Sequence, residues 1–316
     1  MSAETPNIFG PDASMFRLKA PLFLLLSSLS PLMAQELDPR RWSHLPINTN
    51  FFGSAYAHTE GDISFDPVLL ITGTEVRVQT AALAYIRTFQ LLGKTARLDV
   101  VQGWRDARWT GKLDGVDTAV NRKGLADTRL RVSMNLVGAP PLSGKEYAAY
   151  RAATKTETIL GVALNVDLPT GHYKKDKLLN IGSNRFTFSP QLGAVHTRGN
   201  WTIEGTAAVD FYTDNNSFFN GNKLEQDPFF NVQVHAIRDF SPGFWASASL
   251  GYGNGGQSTV NGEEKDDRKE FVAWALSVGY PVTKRLSIKA AYISTRRQRE
   301  SGLESDTLTV GFSTFW

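Results

Sequence analysis

Apolar and polar residues alternate one for one along much of this chain. From Gly124 to Val137, Asp127, Arg129, Arg131, Ser133 and Asn135 share one parity, and Ala126, Thr128, Leu130, Val132, Met134 and Leu136 share the other. A helix would scatter both sets around its axis, so the period of two predicts a strand whose faces meet different surroundings. Thr158 to Leu168 repeats the pattern: Leu160, Val162, Leu164, Val166 and Leu168 stand against Gly161, Ala163, Asn165 and Asp167. The last stretch alternates Leu308, Val310, Phe312, Thr314 and Trp316 with Thr307, Thr309, Gly311, Ser313 and Phe315. By the same rule about twelve segments have the length that crosses a bilayer when tilted. They fall near 46–58, 75–89, 95–110, 124–137, 158–168, 185–197, 201–213, 228–238, 244–253, 269–280, 286–295 and 306–316. Val100-Val101 breaks the alternation, which predicts a bulge there.

The connections alternate as well. Gln90–Lys94, Arg198–Asn200, Asp239–Gly243 and Pro281–Arg285 are short, whereas 59–74, 111–123, 169–184, 214–227, 254–268 and 296–305 are long. Successive antiparallel connections lie at opposite ends, so one rim is trimmed and the other elaborate, as in outer-membrane barrels. An even strand number puts both termini on the trimmed side. Gly138–Glu157 breaks the rule: it belongs to that side yet is long, with Pro140-Pro141 and a helical turn expected at Gly144–Ala153. The expected fold is all-β: a transmembrane antiparallel up-and-down barrel, apolar face outward, whose final strand pairs with the first and sets the Trp316 ring at the membrane interface.

Ahead of the barrel, residues 1–14 read as a misplaced start. Met15 to Ala34, with Arg17 and Lys19 before an apolar run from Pro21 to Leu32, reads as a secretory signal peptide. Fold reasoning therefore begins at Gln35, and 35–316 is taken as one barrel without a plug domain before it. Composition adds exclusions. The chain has 316 residues, a formal net charge of +3 and no Cys, so neither a nucleic-acid footprint nor a thiolate metal site, disulfide or Cys nucleophile is indicated.

Charges inside a barrel must pair or stay wet. The set assigned inward includes Arg97, Asp99, Asp127, Arg129, Arg131, Asn165, Asp167, Arg185, Gln191, Glu204, Asp210, Gln233 and His235. Acids and bases are comparable in number, so cross-strand Asp–Arg pairs are expected. They either line a solute path or brace a closed lumen. Lys174-Lys175 and Lys177, on a long loop, read first as a solvated basic loop, with attraction of anions or lipopolysaccharide phosphate as the alternative. Phe218-Phe219 and Leu224 give another long loop an apolar patch that can fold into the mouth. His235 with Asp210 or Asp239 is the one candidate catalytic dyad, but no Gly-x-Ser-x-Gly or His-Glu-x-x-His spacing accompanies it. Neither a metal site nor a cofactor is expected.

Several stretches carry a resemblance. Gly124–Asp127 with Asn135–Pro140, Leu168–Tyr173 with Lys177–Arg185, Glu225–Pro228, Ser241–Trp245 and Gly255–Gly262 resemble the family named for the MetA pathway of phenol degradation, a group of outer-membrane transporters. The resemblance runs from about Asn48 to Trp316. It implies a barrel and passage of small solutes, aromatic ones included. The chain departs from the family pattern at Tyr173–Lys175 and in the basic Arg296–Arg299 loop. The expectation is thus a bacterial outer-membrane channel for passive uptake and not an enzyme. Its partners would be membrane lipid and lipopolysaccharide, a small solute, and the assembly machinery through the strand ending in Trp316. A barrel hydrolase and a closed structural or adhesive barrel are the alternatives.

Overall fold

In the computed structural model, the residues described are 37–64, 71–113, 115–299 and 302–316. The expected misplaced start and signal peptide lie outside them. Among these residues seventeen strands and one α-helix follow in order: β1 (Asn50–Ser64), β2 (Ile71–Leu91), β3 (Lys94–Leu113), β4 (Val116–Leu125), β5 (Thr128–Val137), α1 (Gly144–Ala153), β6 (Thr156–Leu168), β7 (Thr187–Arg198), β8 (Trp201–Tyr212), β9 (Asn215–Phe218), β10 (Asn222–Gln226), β11 (Phe229–Ser241), β12 (Phe244–Gly255), β13 (Ser258–Val260), β14 (Glu263–Glu264), β15 (Lys269–Pro281), β16 (Leu286–Arg297) and β17 (Gly302–Phe315). The main sheet runs β2-β1-β17-β16-β15-β12-β11-β8-β7-β6-β5-β3-β4, and a β2–β3 pairing closes it. Twelve of these strands form the cylinder, while β4 is an extra length paired to β3 alone.

Closure joins the first strand to the last. Phe51 to Ser64 pairs in unbroken register with Phe315 to Gly302, and Asn50 and Trp316 exchange two backbone hydrogen bonds of 3.0 Å. Among the described residues no sheet edge is left within the lipid zone of the cylinder, where an unpaired backbone group would cost several kcal/mol.

The outward face is the apolar one. Phe312 is 48% exposed, and Leu83, Leu160, Leu164, Leu192, Leu250 and Leu276 project with it, whereas Arg131 and Glu204 on the inner parity are 1% and 0% exposed. Outward aromatics gather toward the two rims: Phe52, Tyr85, Trp201, Tyr280 and Trp316 at the trimmed end, Trp104, Phe188, Phe211 and Tyr292 toward the other. Such rings suit the boundary between headgroups and hydrocarbon.

Four local features differ from the sequence expectation. The described residues of 59–74 and 111–123 are nearly all strand, because β1, β2, β3 and β4 continue past the apolar band with charged outer faces. Hydrogen-bonded strands do not require a lipid-facing parity once above the membrane, so the alternation test missed them. The Val100-Val101 break is no bulge: Tyr85↔Val100 and Ala84↔Val101 pair in continuous register, with Val101 simply an apolar inward residue. The real irregularity is at Ala126–Asp127, between β4 and β5. There the inward parity shifts by one, so Ala126 is buried with the inner cluster instead of facing outward with Leu130. Finally, 214–227 and 254–268 fold into a second, four-stranded sheet, β14-β13-β10-β9, beyond the barrel.

Candidate functional site

The lumen is not empty. Leu37 to Thr49 turns in from the trimmed rim and occupies its lower half. Leu37 packs against Ala273, Ala275, Phe271 and Ile293. Asp38 pairs with Lys289 and Arg40 with Asp239, and the Arg40 guanidinium lies 5.0 Å from the Trp245 ring centroid. The backbone N–H of Arg41 donates to Glu204 Oε1 at 2.9 Å.

Trp42 is the anchor. Gly161 and Gly193 are paired directly across β6 and β7, both on the inner parity. Two adjacent glycines leave a flat patch on the wall, and the indole fills it. A methyl added at either position would overlap the ring. Ala139, Ile159, Ala163 and Val195 complete the apolar contact. The indole N–H donates to Thr206 Oγ1 at 2.8 Å, and the Arg131 guanidinium lies over the ring, 4.7 Å from its centroid.

The long connection between β5 and β6 now has a purpose: it clasps this segment. His44 Nε2 donates to the Pro140 carbonyl at 2.8 Å, and His44 Nδ1 lies 3.4 Å from Glu157. Tyr147 and Tyr150 of α1 meet the imidazole edge-on, and Tyr147 donates its hydroxyl to the His44 carbonyl at 2.9 Å. Burial pushes the Tyr147 phenol above its ordinary pKa, which keeps that donor protonated. Glu157 also accepts from Tyr150 and Arg151, and Ile47 N–H bonds the Leu142 carbonyl. Buried polar groups need partners, and this connection supplies them to a stretch that has no sheet of its own.

Toward the elaborate rim, the connection 169–186 crosses the mouth. Its Leu179 and Ile181 lie on an apolar patch made by Ile63, Val76, Val78, Ala107, Trp109 and Ala126. On its other side Leu178 meets Phe218, Leu224 and Val260 of the second sheet, with Phe219 beside them. The apolar patch expected at Phe218-Phe219 and Leu224 thus forms the packing layer of an outer cap. Tyr173 reaches it through a 3.2 Å bond to the Ser217 carbonyl, and burial raises the Tyr173 phenol pKa.

The residues singled out in the sequence divide by role. Asp127 is a loop anchor: its carboxylate accepts from Gly171 N–H at 2.8 Å, Ser183 N–H at 2.8 Å and Ser183 Oγ at 2.6 Å. Arg129 and Asp167 make the expected cross-strand pair, bidentate at 2.7 and 3.0 Å. Arg97 pairs with Asp99 on its own strand at 2.7 Å, and Asp99 faces Arg131 at 3.8 Å. Arg185 is buried, stacked 4.5 Å from the Tyr212 centroid and bonded to Gln226. Asp210 lies inward opposite Phe229, and His235 lies opposite Glu204 with its Nδ1 2.7 Å from Ser249 Oγ.

What sequence reasoning missed is the occupant: Leu37, Arg41, Trp42 and His44. A signal existed in the two inward glycines on consecutive strands, together with a Trp preceded by two arginines ahead of the first strand. Inner positions of β5 to β8 are mostly buried by this occupant. By contrast Ala55, Ala57, Thr80, Ala82, Ala84, Thr309 and Gly311 on β1, β2 and β17 keep partial exposure. The accessible part of the lumen therefore runs along a wall of small side chains, opposite the charged one.

Comparison with known proteins agrees with this architecture. The sequence family described as "Putative MetA-pathway of phenol degradation" matches residues 57–310. No curated protein sequence matches the chain. Among solved structures, the COG4313 outer membrane channel from Pseudomonas putida F1 superposes with a TM-score of 0.73 at 20% identity, covering 88% of this chain and 99% of that one. The transport unit of the autotransporter AIDA-I from Escherichia coli superposes with a TM-score of 0.51 at 8% identity, covering 92% and 95%. At these identities the likeness concerns the fold.

Proposed function

The chain belongs to the MetA-pathway of phenol degradation family, and from that membership we propose that it is an outer-membrane channel for passive uptake of small solutes, aromatic ones included. The observation that carries this reading is the asymmetric lumen. One wall, of Arg97, Asp99, Arg129, Arg131, Asp167 and Glu204, holds the Leu37–Thr49 segment. The other, of Ala55, Ala57, Thr80, Ala82 and Thr309, keeps accessible surface beside it. Balanced ion pairs on the first wall give no strong net field, so the path favours neutral solutes over ions. The small-residue wall lets a ring pass without tight packing.

Catalysis is not part of the proposal. His235 is 1% exposed and bonded to Ser249, and neither Asp210 nor Asp239, its expected partners, approaches it. A nucleophile, a base and an orienting group in contact are what hydrolysis needs. The strand β17, ending at the paired Trp316, is the segment we assign to the outer-membrane assembly machinery.

Liposome swelling tests the channel reading. Vesicles carrying the protein should swell in phenol-sized neutral solutes faster than protein-free vesicles, and much less in disaccharides. Equal rates with and without protein for every solute would overturn it.

A further inference from the structure

Above the apolar band, the outer faces of β16, β17, β1, β2 and β3 form a concavity of about 660 Å³, in which Arg296 of β16 is already held by Asp306. It lies on the outside of the wall, at the height where outer-leaflet headgroups end. One row of directly opposed residues crosses it: Asp306, Glu60, Arg77, Arg108. Arg77 bonds Glu60 at 2.8 Å, while Arg108 has no ion-pair partner among the described residues. Two guanidiniums directly opposite each other repel, so the arrangement is unfavourable unless an anion lies between them. The next row is Glu304, Asp62, Glu75, three opposed carboxylates, of which Asp62 and Glu75 have no cationic partner among the described residues. The Arg77–Arg108 pair and the carboxylate row carry opposite charge and lie one step apart along the strand, which matches a phosphate that brings its own divalent cation.

We propose that this face docks lipopolysaccharide. A phosphate of the lipid A headgroup would bridge Arg77 and Arg108, and a divalent cation would be shared between that phosphate and the Glu304, Asp62 and Glu75 row. Guanidinium forks suit phosphate oxygens. No group of three or more acidic or His side chains among the described residues is close enough to hold a metal unaided, so the cation binds only together with the phosphate. The acyl chains then descend over Tyr56, Leu83 and Leu308, all exposed on the same outer parity. This inference rests on the outer-membrane location alone and is independent of which solute the lumen passes.

The test is the unfolding midpoint of the purified protein in detergent, read from heat-dependent gel migration. Diphosphoryl lipid A with millimolar Mg²⁺ should raise the midpoint by several degrees. The same lipid with EDTA, dephosphorylated lipid A with Mg²⁺, inorganic phosphate with Mg²⁺, and Mg²⁺ alone should each leave it unchanged. Arg108→Glu should remove most of the rise without lowering the unliganded midpoint, since that side chain has no internal partner to lose. Arg108→Lys should keep part of it. Stabilisation by dephosphorylated lipid A, or by free phosphate, would refute the proposal. So would an Arg108→Glu variant that keeps the full rise.

Discussion

Replacing Trp42 by Ala should open the lumen, and the size of the effect follows from the packing. The indole is 1% exposed. A buried aromatic side chain removes roughly 150–250 Å² from water, which at about 25 cal/mol per Å² corresponds to about 4–6 kcal/mol. The released segment finds some burial elsewhere, so this is an upper figure, and roughly 3–5 kcal/mol is the usual cost of Trp to Ala in a core. At about 1.4 kcal/mol per tenfold, the seated state of the segment should lose about two to three orders of magnitude relative to the displaced one. Single-channel recording in planar bilayers reads this as larger or more frequent open steps. Gly193→Ala approaches from the wall side: its methyl overlaps the ring, so it should unseat the segment without touching Trp42 itself. Thr206→Val removes only the indole hydrogen bond, worth about 0.5–1.5 kcal/mol, and should give a small change in the same direction. If Trp42→Ala and Gly193→Ala both conduct like the wild type while migrating as folded barrels, the segment is not the constriction.

Other outcomes follow from the same geometry. Ala82→Trp, on the accessible small-residue wall, should lower conductance and slow swelling in phenol-sized solutes while leaving the unfolding midpoint nearly unchanged. Asp127→Ala strips three donors of their acceptor, at roughly 1–3 kcal/mol for each one left buried, and should make the 169–186 connection sensitive to limited proteolysis before the barrel unfolds. His44→Ala with Tyr147→Phe should weaken the clasp and raise open probability, though less than Trp42→Ala. Removing Trp316 deletes two closing backbone bonds and an exposed interfacial ring, and should slow formation of the heat-resistant barrel in a folding time course.

The wall was legible because its physics is periodic. Leu160, Val162 and Leu164 against Gly161, Ala163 and Asn165 declare two solvents, and each strand repeats the statement locally. The alternation of short and long connections supplied the topology, and the first-to-last pairing followed. Inside the lumen that logic weakens. Arg129–Asp167 could be expected because opposed charges on neighbouring strands must meet. The role of Asp127 could not, since its donors, Gly171 and Ser183, lie in a connection with no period. Nor could the place of Trp42: an aromatic residue before the first strand belongs to no alternating run, and only the register that aligns Gly161 with Gly193 reveals the slot it fills. The extended β2 and β3 were missed for the converse reason, being regular in hydrogen bonding but not in hydropathy.

The bend at Asn48 and Thr49 separates two things that a single chain usually couples. It is fixed by bonds to Thr88, while the ladder of β1 starts only at Asn50. None of the backbone pairs that complete the cylinder involves a residue before Asn50. Because the bend lies at the rim through which the stretch enters, withdrawing Leu37–Thr49 requires no strand of the cylinder to be unzipped. The ring can therefore be complete with its lower half vacant, and a chain shortened to start at Asn50 should still close, leaving the outer cap as the remaining obstruction.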